Sequence, residues 1–198
     1  MKNRIKVIVY FIFLTILSGI LTPVLSIDQN IQISGQLTEN RYNKTSEIEK
    51  LFRTNLNIID AVIYKKVPRG LVVSIDSSVF FEEGRDEIME NSKQILDQMG
   101  EIIKFLDKPC IIEGNSNTTE IAGTYYQANW EISIVRAEKI VQYLIKKRQV
   151  DPQKIRAVGF GEIMPFDRNV SYKNDRNRRI DFVIINYEES DFNILPFE

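Results

Sequence analysis

The chain has 198 residues, with 26 basic and 27 acidic side chains and a formal net charge of -1. No global field therefore draws it to nucleic acid or to an anionic membrane surface. Histidine is absent and cysteine occurs once, as Cys110, which removes the commonest general base and metal ligand, an internal disulfide and any cysteine metal cluster. With 43% hydrophobic residues, the chain suffices for one packed domain and a short additional segment. No nucleophile–base pair and no metal-ligand cluster is readable, so the sequence points away from an enzyme and implies no cofactor.

The first element is the leader. Lys2, Arg4 and Lys6 precede an uncharged stretch from Val7 to Ile27. A spanning helix needs about 20 apolar residues, which this stretch just reaches. A secretory signal needs a basic start, a shorter apolar core and a cut site, for which Pro23-Val24-Leu25-Ser26 is a candidate. Both readings leave the basic start in the cytoplasm and everything after Ile27 outside it. Residues 1–27 are thus a signal anchor or a signal peptide. The domain beyond lies in the periplasm, either as a single-pass membrane protein or free if the leader is cleaved.

Asp28 to Lys44 is polar and aperiodic and reads as a linker. Ser46 and Glu49 stand at capping-box spacing ahead of Ile48, Leu51, Phe52 and Leu56, which predicts a short amphipathic helix at the end of a 28–58 periplasmic linker. Ala61–Val67 and Leu71–Ile75 are predicted strands, joined by the turn Pro68-Arg69-Gly70. A helix is predicted from about Arg85 to Leu106, with Ile88, Ile95, Leu96, Met99, Ile102, Ile103 and Leu106 on one stripe. Glu82, Glu83 and Asp86 read as its solvated acidic start. Cys110 to Glu113 is a strand, in which Cys110 packs as a small hydrophobe. A loop spans Gly114 to Tyr126. The next helix runs from about Asn129 to Lys147, with Ile132, Val135, Ile140, Val141 and Leu144 inward. Ile155–Val158 and Arg179–Asn186 are the last strands, separated by the loop Gly159 to Asn174. The order β-β-α-β-α-β-β predicts an α+β fold with helices layered on a sheet.

Four spaced segments carry a resemblance. Arg69 to Ile75 followed by Phe80-Phe81-Glu82-Glu83-Gly84 resembles the opening of OmpA-like domains. Asn129-Trp130-Glu131-Ile132-Ser133 with Arg136-Ala137 is similar to the MotB branch of that family. Val158-Gly159-Phe160-Gly161-Glu162, with Pro165 and Asn169, looks like its post-helix loop, and Asn177-Arg178-Arg179-Ile180-Asp181 like its closing strand. The resemblance covers residues 59–187 and leaves 188–198 as a C-terminal tail. It implies a β-α-β-α-β sandwich of mixed sheet and helices, and non-covalent binding of the peptidoglycan stem peptide. It also suggests a homodimer and motor or envelope proteins as partners. The flagellar-motor branch carries an aspartate in its membrane helix. Here no carboxylate lies between Val7 and Ile27, so ion conduction is not expected; an intramembrane carboxylate is costly and usually functional.

In that family an Asp in the loop and an Arg on the following helix hold the diamino acid of the stem peptide, whose ammonium and carboxylate a charged pair can grip. Arg136 matches the Arg. The family loop Gly-His-Thr-Asp-Asn is here Gly114-Asn115-Ser116-Asn117-Thr118, so Asn117 stands at the Asp position. Losing that charge should weaken capture of an ammonium by roughly tenfold. The candidate ligand-binding residues are Arg136, Asn117, Thr118 and Asn129. Asn129 is open to the alternative of capping its helix, and Trp130 to packing rather than forming a sugar platform. A second departure is Lys173-Asn174, where the family usually has Gly-Arg. The rival reading is a degenerate domain that docks other proteins as a scaffold.

Overall fold

The computed structural model describes residues 39–56, 62–121, 124–167, 169, 171 and 173–186. The chain divides into two compact units, Met1–Asn43 and Lys44–Glu198, and the architecture below is that of the second. The predicted leader, residues 1–27, lies outside the described residues, as does the 188–198 tail. Among the described residues no helix is long and apolar enough to cross a membrane.

A helix, α1, covers 39–55, so helix replaces the end of the predicted linker. Ser46 and Glu49 lie inside it and do not cap it. The Lys66 ammonium donates to Ser46 Oγ at 2.8 Å, and Glu49 pairs with Arg53 and Lys66. The apolar spacing is kept, because Ile48, Phe52 and Leu56 are buried.

Strands β1 (Val62–Val67) and β2 (Gly70–Asp76) form a hairpin. Helix α2 runs over Lys93–Leu106 and precedes β3 (Cys110–Asn115). Helix α3 (Asn129–Arg148) leads to β4 (Ile155–Gly161), and β5 (Arg179–Ile185) closes the chain of elements. The sheet order is β1-β2-β5-β3-β4, with β3 and β4 parallel and the other pairs antiparallel. The last strand in sequence is therefore the middle strand. The parallel pair follows from the crossover through α3, which a hairpin could not make.

α2 starts later than the periodicity suggests. Gly84, at φ +66°, adopts the left-handed conformation, which breaks any helix there. Residues 90–92 then form a short 3-10 turn. Segment 82–86 is thus an irregular loop, and it becomes part of the site.

One face of the sheet packs on the helices. Leu71, Val73, Ile75, Cys110, Ile112, Ile180, Phe182 and Ile184 alternate inward and meet Phe52, Leu96, Met99, Ile103, Ile140 and Leu144. This is the period-two and period-3.6 match that specifies such a layer. The Cys110 thiol is fully buried, and desolvation raises its pKa well above the ordinary value. The other face carries Val72, Ile111, Val183 and Ile185. Beside them Arg69 grips Glu113 with two parallel bonds of 2.7 and 3.0 Å. α3 lies against β3 and β4 because glycines stand where they touch. A Cβ at Gly114 would be 2.0 Å from the Ser133 carbonyl oxygen, and one at Gly159 would be 2.5 Å from Ile134.

Candidate functional site

The site grows from the end of β3. Ser116 N–H donates to the Gly161 carbonyl at 2.9 Å, which ties the start of the loop to the end of β4. Gly161 N–H in turn donates to Ser133 Oγ on α3 at 2.9 Å. Ser116 Oγ reaches the Asn129 carbonyl at 3.4 Å. The loop after β3, the end of β4 and the first turns of α3 are thereby joined.

Arg136 is 2% exposed. It falls on the α3 stripe of Ile132, Ile140 and Leu144, which repeats every four residues and so faces the core. Its three nitrogens are all engaged. Nη1 donates to Glu120 Oε1 at 2.8 Å, Nε to the Arg85 carbonyl at 2.8 Å and Nη2 to the Glu82 carbonyl at 3.2 Å. The guanidinium carbon also stands 5.1 Å from the Phe81 ring centroid. The irregular loop that replaced the start of α2 thus supplies the carbonyls that hold Arg136. An α-helix there would have spent those carbonyls on its own ladder.

Glu120 is as buried as its partner, with 1% of its side chain exposed. Its second oxygen, Oε2, accepts no hydrogen bond from any described residue. Thr118 and Thr119, immediately before it, are exposed. Glu120 was not among the predicted site residues. One signal could have found it, since it is the single charged residue between Gly114 and Ala128.

Asn117 is 1% exposed and internally bonded. Its Nδ2 donates to Asp175 Oδ1 at 3.2 Å, and its Oδ1 accepts from Thr119 N–H and Oγ1, each at 3.1 Å. It therefore builds the loop turn and joins it to the segment before β5. Thr118 is exposed.

Asn129 is the first residue of α3 and does not cap it. Ala128 is the N-cap, with no side-chain bond. Glu131 reaches back instead, accepting from Gln127 N–H at 2.9 Å. Asn129 is 7% exposed, and its Oδ1 has no donor among the described residues. Trp130 is 57% exposed, so it is not the packing residue anticipated. It sits where α3 begins, and its backbone rather than its ring meets Gly161.

Asp86 is not a solvated helix start. It is 8% exposed, accepts from Tyr125 Oη at 3.2 Å and lies 3.7 Å from the Lys139 ammonium. The Tyr125 and Tyr126 rings lie 4.3 Å apart and their hydroxyls bond at 2.9 Å. Desolvation, the Tyr125 hydroxyl and Asp86 all push the Tyr126 phenol above its ordinary range. The basic trio divides. Arg176 is exposed, Arg178 pairs with Glu83 and Asp175, and Arg179 is buried on Asp181.

The comparisons agree with this architecture. The OmpA family profile matches residues 80–179, which contain Glu120 and Arg136. Motility protein B of Bacillus subtilis (strain 168) is 25% identical over 150 residues, covering 74% of this chain and 57% of that one. Outer membrane protein A of Bordetella avium is 29% identical over 122 residues, covering 61% of each. The chain thus spans less than two thirds of the length of these relatives. Among solved structures, a MotB-like protein from Desulfovibrio vulgaris superposes with a TM-score of 0.64 at 23% identity, over 76% of this chain and 96% of the other. The cell wall anchor of the T6SS from Pseudomonas aeruginosa gives 0.60 at 19% identity, over 70% and 96%. These two likenesses concern the fold. The family match over half the chain establishes that the chain belongs to the OmpA family.

Proposed function

We propose that this domain holds peptidoglycan non-covalently through the stem peptide, as a binding module of the cell envelope. The observation that carries the reading is the buried Glu120–Arg136 pair, which bonds the loop after β3 to α3 at 2.8 Å, with Asn117 and Asn129 buried in the same two segments. These residues lie in or beside the segments that resemble the family's ligand-holding loop and helix. Residues 1–27 act as the tether or export signal, and the 28–58 segment spaces the domain from the membrane. The kinship with Motility protein B supports a motor-associated setting, without ion relay in the absence of a carboxylate between Val7 and Ile27. Peptidoglycan is the partner, and a homodimer is part of this reading.

The test is co-sedimentation of the purified protein with intact peptidoglycan across a salt series. Retention that declines with salt supports the reading, because charge-assisted contacts near a surface are screened. No retention at low salt would remove it. A second reading has its own observation. Every side-chain nitrogen of Arg136 and both side-chain polar atoms of Asn117 are bonded within the chain, as in a scaffold domain that docks proteins. Capture of protein partners with no retention on cell wall would favour it.

A further inference from the structure

We infer that Glu120 is the carboxylate of this site and that the ligand group it takes is an amine. The inference rests on the proposed stem-peptide reading and names the end of the diamino acid that this chain grips. Three observations carry it. Arg136 Nη1 holds Glu120 Oε1 at 2.8 Å, and backbone carbonyls occupy its other nitrogens. A carboxylate from outside therefore meets a guanidinium whose charge is already matched. Glu120 Oε2 is buried and has no donor among the described residues. An unpaired buried carboxylate oxygen is expensive and calls for a donor. A second orphaned acceptor, Asn129 Oδ1, flanks the same loop. It stands two turns before Arg136 on α3, on the same helix face.

A buried carboxylate oxygen that has no donor among the described residues fits a group that carries N–H bonds, and an ammonium brings three. The negative charge missing at Asn117 is thus supplied three residues further along the loop. Arg136 becomes a positioning residue, which orients Glu120 and balances its charge. Thr118 and Thr119 are exposed, so water reaches the chain immediately before Glu120.

The experiment separates the two ends of the ligand. The full chain, purified in detergent, is titrated calorimetrically with 1,5-diaminopentane, which has amines and no carboxylate. A parallel titration uses pimelate, which has carboxylates and no amine. The diamine should bind and pimelate should not. Glu120→Gln should weaken the diamine at least tenfold, and Asn129→Ala several-fold. Because Glu120→Gln strips a buried guanidinium of its counter-charge, Glu120→Asp is the companion variant. It keeps the charge but withdraws the oxygen, and it should also lose about tenfold in affinity with an unchanged circular dichroism spectrum.

Binding of pimelate in preference to the diamine overturns the inference. So does diamine affinity that is equal in the parent and in folded Glu120→Asp, or no diamine binding at all. Co-sedimentation of the parent with peptidoglycan is run beside these titrations. If it persists while the diamine arm fails, the amine assignment alone is lost. If it fails too, the stem-peptide reading falls with it.

Discussion

Arg136 and Arg179 are both buried and both bonded to a carboxylate, but they are built differently. Arg179 and Asp181 stand two residues apart on β5, so one strand's pleat sets them on the same face. Both Asp181 oxygens are engaged. The side chain accepts from Ser74 Oγ, from Asn115 Nδ2 at 3.2 Å and from Arg179 Nε at 3.0 Å. Arg136 and Glu120 are sixteen residues apart and join a helix to a loop. Among the described residues their pair keeps one carboxylate oxygen open, while the sheet pair leaves neither oxygen without a donor. A carboxylate with both oxygens committed specifies structure; one held by a single oxygen can hold a ligand with the other.

The largest effect should come from Arg136. Arg136→Ala leaves Glu120 buried without a partner and should cost about 3–5 kcal/mol, read as a drop in the urea midpoint. Substitution of a neutral isostere on the sheet should cost less. Asp181→Asn keeps an acceptor for Ser74, and a loss of about 1–3 kcal/mol is expected. Equal losses in the two variants would erase the distinction between the pairs.

Restoring the family's Asp at the loop sharpens the comparison from another side. Asn117 Nδ2 now donates to Asp175, so Asn117→Asp would set two carboxylates together. Asp175 is mostly exposed, which limits the repulsion to about 1 kcal/mol. A thermal melt should show a small decrease, relieved in Asn117→Asp with Asp175→Asn. An increase in stability from the single change would show that Asp175 does not constrain the loop.

The pH dependence of the sheet network follows from its carboxyls. Desolvation raises Asp181 above its ordinary 3.8, opposed by Arg179, Ser74 and Arg69. Desolvation likewise raises Glu113 above 4.5, opposed mainly by Arg69. A carboxyl raised on folding binds its proton more tightly in the folded state. Its contribution is fully present below the unfolded value and is lost as pH rises through the folded value. Stability measured by urea from about pH 4 upward should therefore decline less with pH in Asp181→Asn and Glu113→Gln than in the parent. Glu49 runs the other way. Desolvation raises it, but bonds and charge from Arg53 and Lys66 outweigh that and hold it below 4.5. Its contribution is present above the unfolded value and fades in acid. Arg53→Ala, at an exposed i,i+4 pair, should give the smallest effect, about 0.3–0.5 kcal/mol.

Most of the fold was legible in the sequence because it rests on local periodicity. The stripe of α2, the alternation in β2 and β5 and the turn at Pro68-Arg69-Gly70 each depend on neighbours in the chain. So does the place of Arg136, on the same four-residue repeat as Ile132 and Ile140. The start of α2 misled because Ile88 fits a helical period while Gly84 breaks the helix before it. Ser46 and Glu49 misled because capping-box spacing also occurs inside a helix, where their partner is Lys66, twenty residues from Ser46 in sequence.

What the sequence by itself determined is therefore the element order, the inward faces and, through four motifs, the family. The tertiary structure alone decided which groups are spent and which remain open. It placed Glu120 against Arg136, exposed Trp130, buried Asp86 and left Asn129 Oδ1 without a donor among the described residues. Pairing across a loop depends on where the chain returns in space, and neither period nor propensity encodes that distance.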